Sequence, residues 1–248
     1  MTPQEAARFL DRLESGELRA ARRADDGSWQ VDTSVKQGIL ALLAASDAVE
    51  LPGWPGGAVD KVPARQIGPA DRVRLVPGGS SVRRGAALRP GVVVMPPSYV
   101  NIGAYVGEGT MVDSHVLVGS CAQVGARVHL SAAVQLGGVL EPVGARPVVV
   151  EDDAFIGAQC GLYEGVIVRA GAVLAPGTIL TSRTVVYDLV HEHEVRGEVP
   201  EGAVVVPGSR PARGDYAQRL GLSLYAPVIV KYRDDSTDAA TVLEGALR

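Results

Sequence analysis

The 248-residue chain carries 24 Lys and Arg against 28 Asp and Glu, a formal net charge of −4 with a sequence pI near 5.6. That acidic balance argues against nucleic acid or an anionic membrane surface as partner, and no apolar run approaches the roughly 20 residues of a membrane span. Apolar residues make up 46% and aromatics 4%, so a large core must be built from Val, Leu, Ile and Ala, while 30 glycines and 16 prolines exclude a helical bundle. Two cysteines, Cys121 and Cys160, supply neither a disulfide framework nor a CxxC zinc spacing. With no signal-peptide pattern at the N-terminus, a cytoplasmic protein is expected.

The first elements read as helical. Thr2-Pro3-Gln4-Glu5 has the form of a capping box, with Thr as N-cap, Pro at the first helical position and Glu at the third. Phe9, Leu10 and Leu13 then share one helical face. A second helix is expected after Asp32-Thr33, through Ile39, Leu40, Leu42 and Leu43, and "LPGWPGG" at 51–57 is punctuated as a loop. Residues 1–70 are therefore expected to form a small helical N-terminal domain.

From residue 76 the pattern changes. Val, Leu or Ile occupies 76, 82, 88, 94, 100, 106, 112, 118, 124, 130 and 136. After an interruption at "PVGARPVV" the phase shifts by two and resumes at 150, 156, 162, 168, 174 and 180. Four residues beyond most of these stands a small or β-branched residue, among them Ser80, Ala86, Ser98, Thr110 and Ala122. A β-sandwich would alternate with period two and would not hold one phase for so long. A period of six is that of a parallel β-helix, in which each side of a triangular prism takes one short strand and a corner. The long side chain fills the prism and the small one lets the chain turn. Hexapeptide prisms of this kind coil left-handed, so the expected fold is mainly β, a left-handed parallel β-helix over 71–210. The charged segment 186–200 reads as a loop, and 211–248 as a C-terminal extension with a strand in "SLYAPVIVKYR" and a capped helix in "STDAATVLEGALR".

A prism of this kind is a scaffold, so chemistry has to come from its faces and loops. Asp113 follows inward Val112 and should lie outside the prism. By periodicity alone it is a solvated corner acid. His115 and His129 fall within the repeats, and a zinc enzyme on this scaffold would need three histidines at suitable coil positions. His191 and His193, in "HEH", give a weak metal signal in the charged segment and read as solvated.

The wording of the repeats is more specific than their period. "MPPSYVNIGAYVGEGTMVDSHVLVGSCAQVGARVHLSAAVQLGGVLEP" at 95–142 closely resembles the tetrahydrodipicolinate N-succinyltransferase family, and "EDDAFIGAQCGLYEGVIV", "VVVPGS" and "STDAATVLEGALR" continue the resemblance in order. The resemblance implies an enzyme of lysine and diaminopimelate biosynthesis. It would transfer succinyl from succinyl-CoA, with no metal, to the amino group of L-2-amino-6-oxopimelate. It also implies a homotrimer with sites between subunits, acting on small molecules. Asp113 matches the family's catalytic Asp in "GTMVD", and Glu164 matches a later family Glu. Arg74, in "RLVPGG", stands where the family has a substrate-binding Arg; Gly137-Gly138 would let substrate approach the backbone, or form a tight corner. Arg183, Arg210, Arg213 and Lys231 are candidates for CoA. One departure stands out: many members read "GARSEVVEG" where this chain has "GAQCGLYEG", so Gly161 replaces an acid regarded as essential. Two alternatives stay open, an acetyl-CoA-dependent N-acyltransferase acting on a different amino-dicarboxylate and a non-catalytic trimeric scaffold.

Overall fold

In the computed structural model, residues 1–51 and 57–233 are described. Helix α1 (Pro3–Glu14) begins with the expected capping box: the Thr2 hydroxyl accepts from Glu5 N, and the Glu5 carboxylate accepts from Thr2 N. A short antiparallel pair follows, β1 (Ala21–Arg23) with β2 (Trp29–Val31), and then helix α2 (Thr33–Ala45), capped by Asp32.

From Arg74 the chain winds as a prism. Two-residue strands recur, and each pairs in parallel with the strand one coil later: Tyr99–Val100 with Leu117–Val118, Tyr105–Val106 with Gln123–Val124, Met111–Val112 with His129–Leu130. The three prism faces, taken in chain order from Arg74–Leu75, Ser81–Val82 and Ala87–Leu88, are here the first, second and third. The second residue of each pair points inward, and Val82, Val100, Val118, Leu136, Leu162 and Leu180 are all buried in one column. Each such side chain stabilises the fold by about 1.5–3 kcal/mol relative to exposure. This is the left-handed hexapeptide β-helix expected from the repeat.

The small inward positions also close the corners. The buried Ser98 hydroxyl donates to Asp113 O (2.7 Å) and accepts from Val116 N (3.1 Å); Thr110 does the same with Gly125 O and Val128 N. A short hydroxyl thus satisfies two backbone groups of the next coil that the turn would leave unpaired.

Three expectations are corrected. The first rung is set by Leu75, which pairs with Val94, and not by Val76. Gly78 and Gly79 add a residue to that corner with φ of 143° and 94°, and a Cβ at Gly78 would lie 2.7 Å from Pro96. The charged segment after residue 184 is not a loop. It folds as an antiparallel hairpin, Val185–Asp188 with His193–Arg196, whose first strand pairs with Val228–Tyr232. The expected single strand "SLYAPVIVKYR" is two: Ser223–Tyr225 pairs with Ser209–Pro211, and Val228–Tyr232 lies antiparallel to Ala203–Val206 over the last coil. The helix expected over 236–248, and most of the 51–57 loop, lie outside the described residues.

The N-terminal elements cover the third face, whose outward residues Ala87, Gln123, Val149 and Ile167 are buried. Leu10, Leu13, Ile39 and Leu42 pack around Ile102 and Cys121 of the adjoining corner. Polar contacts fix the docking: Arg19 Nε donates to Gln123 (2.9 Å), and Trp29 Nε1 to the buried Glu151 carboxylate (2.8 Å), which also pairs with Arg169. Lys36 of α2 is fully buried and its ammonium donates to Ala145 O. Lys36 thus ties α2 to residues 137–148, the insertion that interrupts the repeat.

Candidate active site

Asp113 sits at the corner between the first and second faces. Inward Val112 is wholly buried and Asp113 half-buried. Its backbone is held on both sides, N–H to Leu130 O (2.9 Å) and carbonyl to the Ser98 hydroxyl. Oδ1 accepts from Ser114 N at 2.7 Å. Among the described residues, no hydrogen bond or ion pair engages Oδ2. One carboxylate oxygen is therefore positioned by the turn and the other is available, as a general base requires.

Arg74 lies on the first face, exposed, and pairs with Val93, which pairs in turn with Met111. It is two rungs before the strand that delivers Asp113, about 9.5 Å along the prism axis. No ion pair engages Arg74 among the described residues, so its guanidinium is free to bind a carboxylate. Gly138 and Glu164 are elsewhere, at successive turns of the corner between the second and third faces. Within the chain the structure does not bring Glu164 to Asp113: they flank opposite edges of the second face. Glu164 is exposed and accepts from the Ser182 hydroxyl (3.0 Å). A Cβ on Gly138 would lie 2.9 Å from Ser120 N, and one on Gly137 2.7 Å from the Tyr163 ring. Coil stacking alone accounts for both glycines.

Gly161 points outward on the second face, between Gln135 and Ile179. Tyr163 folds over it: a Cβ at residue 161 would lie 2.6 Å from the phenol ring and 2.9 Å from its hydroxyl. The space a glutamate would take at 161 is filled by Tyr163, two residues along in the sequence.

Of the CoA candidates, Arg210 and Arg213 converge on a cavity of about 450 Å³ between the late hairpin and the strand pair that follows the last coil. Arg196, which sequence reading missed, joins them with Tyr187, Glu194 and Leu224. Strand alternation in "HEVR" places Arg196 beside Glu194, and that alternation was hidden by the high charge of the segment. Arg183 and Lys231 do not line this cavity. Arg196 is paired with the Glu194 carboxylate at 2.9 Å, and the guanidinium groups of Arg210 and Arg213 in the same concavity suit phosphate oxygens. Neither cysteine is a nucleophile candidate, because burial pushes each thiol up to about 11. His129 stacks on Phe155 with centroids 5.0 Å apart, and His115 is exposed at the Asp113 corner with φ 63°.

Residues 147–182 match the family model described as the hexapeptide repeat of succinyl-transferase, and residues 4–43 that of the tetrahydrodipicolinate N-succinyltransferase N-terminal region. The 2,3,4,5-tetrahydropyridine-2,6-dicarboxylate N-succinyltransferase of Nitrobacter winogradskyi is 47% identical, covering 96% of this chain and 87% of that protein. The Bradyrhizobium diazoefficiens protein of the same name is 45% identical with the same coverage. A solved Campylobacter jejuni structure carrying a tetrahydropyridine-2-carboxylate N-succinyltransferase designation superposes over 91% of this chain with a TM-score of 0.60 at 17% identity. This chain spans 63% of that longer one, and the likeness concerns the fold. End-to-end identity at this level, on a prism of matching architecture, makes the chain a member of the tetrahydropyridine-dicarboxylate N-succinyltransferase family of hexapeptide-repeat acyltransferases.

Proposed function

We propose that the protein transfers succinyl from succinyl-CoA to the amino group of L-2-amino-6-oxopimelate, the hydrated open form of tetrahydrodipicolinate, in lysine and diaminopimelate biosynthesis. The observation that carries this reading is the near-full-length identity to succinyltransferases of that name. The placement of Asp113 gives it a mechanism. An amine with a pKa of roughly 8–10 is only about 0.1–10% neutral at pH 7, and the ammonium form has no lone pair. Asp113 takes one proton from the ammonium, and the neutral amine then attacks the thioester carbonyl. The N–C bond forms, the C–S bond breaks, and the second proton lost by nitrogen passes to the departing sulfur, so CoA leaves as the thiol. Such a base contributes about 10²–10⁴-fold.

Arg74 holds a substrate carboxylate, and the Arg196, Arg210 and Arg213 cavity takes CoA phosphates. Because Asp113 and Glu164 lie on the two edges of the second face, a site using both draws on two protomers of the proposed homotrimer, which we place in the cytoplasm. Among the described residues, no helix is long and apolar enough to cross a membrane.

Tyr163 over Gly161 changes the surface that the acceptor meets, which keeps a different amino-dicarboxylate or an acetyl donor as a second reading. Mass spectrometry of reactions with L-2-aminopimelate, a stable acceptor analogue, and either succinyl-CoA or acetyl-CoA separates the two. The leading account expects the succinylated amine to dominate. An acetylated product in excess supports the second reading, and no product with either donor supports a scaffold.

A further inference from the structure

The hairpin after the last complete coil places three metal-ligating side chains together. Asp188 ends the strand Val185–Asp188, and His193, its cross-strand partner, begins His193–Arg196. Between them Glu192 takes a left-handed conformation, with φ 57°, in the turn of the hairpin. His191 Nδ1 lies 2.9 Å from Asp188 Oδ2 and His193 Nδ1 lies 3.8 Å from the same oxygen, and the three donor atoms are all within 4.8 Å of one another. Bonds of ~2.0–2.2 Å at the tetrahedral angle put donors roughly 3.3 Å apart, so these separations need small side-chain adjustments only.

The surroundings fit a metal better than a simple His–Asp pair. The Asp188 side chain is fully buried while the imidazoles are 56% and 52% exposed, so a cation would enter from solvent and keep an open position for water. Asp188 is braced from behind: Oδ1 accepts from Val190 N and His191 N, and Oδ2 from the Tyr232 hydroxyl at 2.6 Å. The Tyr232 hydroxyl donates to Oδ2 and so orients the carboxylate, as outer partners of metal ligands do.

We propose that Asp188, His191 and His193 form a site for a borderline divalent cation such as Zn²⁺, bound by two imidazoles, one carboxylate and water. Its role is structural. It clamps the turn of a hairpin whose first strand pairs with the strand over the last coil and whose Tyr187, Glu194 and Arg196 line the arginine cavity.

The test is titration of untagged, chelator-stripped protein with Zn²⁺ against a chromophoric chelator, alongside thermal unfolding with and without the ion. The wild type is expected to bind one Zn²⁺ per protomer and to unfold at higher temperature with it. His193→Ala should weaken binding by more than about tenfold, and His191→Ala/His193→Ala should lose both binding and the thermal shift. Both imidazoles are exposed, so these variants should fold. His115→Ala/His129→Ala, which removes the histidines of the repeats, should retain both. Binding no tighter than millimolar in the wild type, or tight binding that survives the His191/His193 double variant, overturns the proposal.

Discussion

Gly161 stands where the resemblance implies an acid, and the Tyr163 ring leaves no room for one. The Tyr163 phenol occupies the volume into which a side chain at 161 would extend. Gly161→Glu should therefore overpack the second face and cost about 1–3 kcal/mol in urea unfolding. Much of that loss should be recovered in Gly161→Glu/Tyr163→Val. Strictly additive effects in the two substitutions would show that Tyr163 does not fill that space.

A second residue-scale prediction concerns Asp71, just before the prism. Its carboxyl is held below the ordinary range by the Gly68 backbone N–H, against the opposing effect of burial, and by Arg65. Because the folded pKa is depressed, the stabilisation is present above about pH 4 and is lost as pH falls through the folded value. The stability gap between wild type and Asp71→Asn should be full at pH 6 and shrink steadily below pH 4. A gap independent of pH would contradict the assignment.

At the scale of elements, the insertion at 137–148 depends on α2. Lys36 reaches Ala145 O through the protein interior, and burial lowers its pKa. Lys36→Met keeps the apolar stem but leaves that carbonyl without its donor, a cost of about 1–3 kcal/mol. Hydrogen exchange in 137–148 should quicken in the variant while the repeats keep their protection; unchanged exchange there would show that Lys36 does not anchor the segment.

The elements also show what a sequence reading can recover. The repeats were legible because every coil imposes the same inward residue and small corner residue, so the signal accumulates over the prism. The slip from Val76 to Leu75 was not, because both residues are aliphatic and only the added Gly78-Gly79 corner separates them. The pair β1–β2 escaped notice because three residues are too few to show alternation, although Asp26-Gly27 at its turn was a signal. The hairpin at 185–196 was masked by its outward charges. Asp113 could be placed outside the prism from periodicity, but its identification rested on the words around it. Arg196 carried no motif and emerged from the fold.

At the scale of the molecule, the N-terminal elements bury the third face, while on the first face the early rung of Arg74 is exposed and the late outward residues Val173 and Val204 are buried. Asp113 stands at the corner between the first and second faces, and Arg74 projects from the first. Glu164 lies across the second. A catalytic site that uses both acids follows from this geometry only if prisms associate, so activity should be lost together with self-association on dilution.

In the proposed mechanism Asp113 is the general base for acyl transfer to an amine. CoA thiol release with succinyl-CoA and L-2-aminopimelate, compared in wild type and Asp113→Asn, tests it directly. The substitution keeps the shape of the side chain, and thus the turn at Ser114, while removing the base. Release by the variant should fall by about 10²–10⁴-fold with its fold intact. Equal rates in the two proteins would contradict the account.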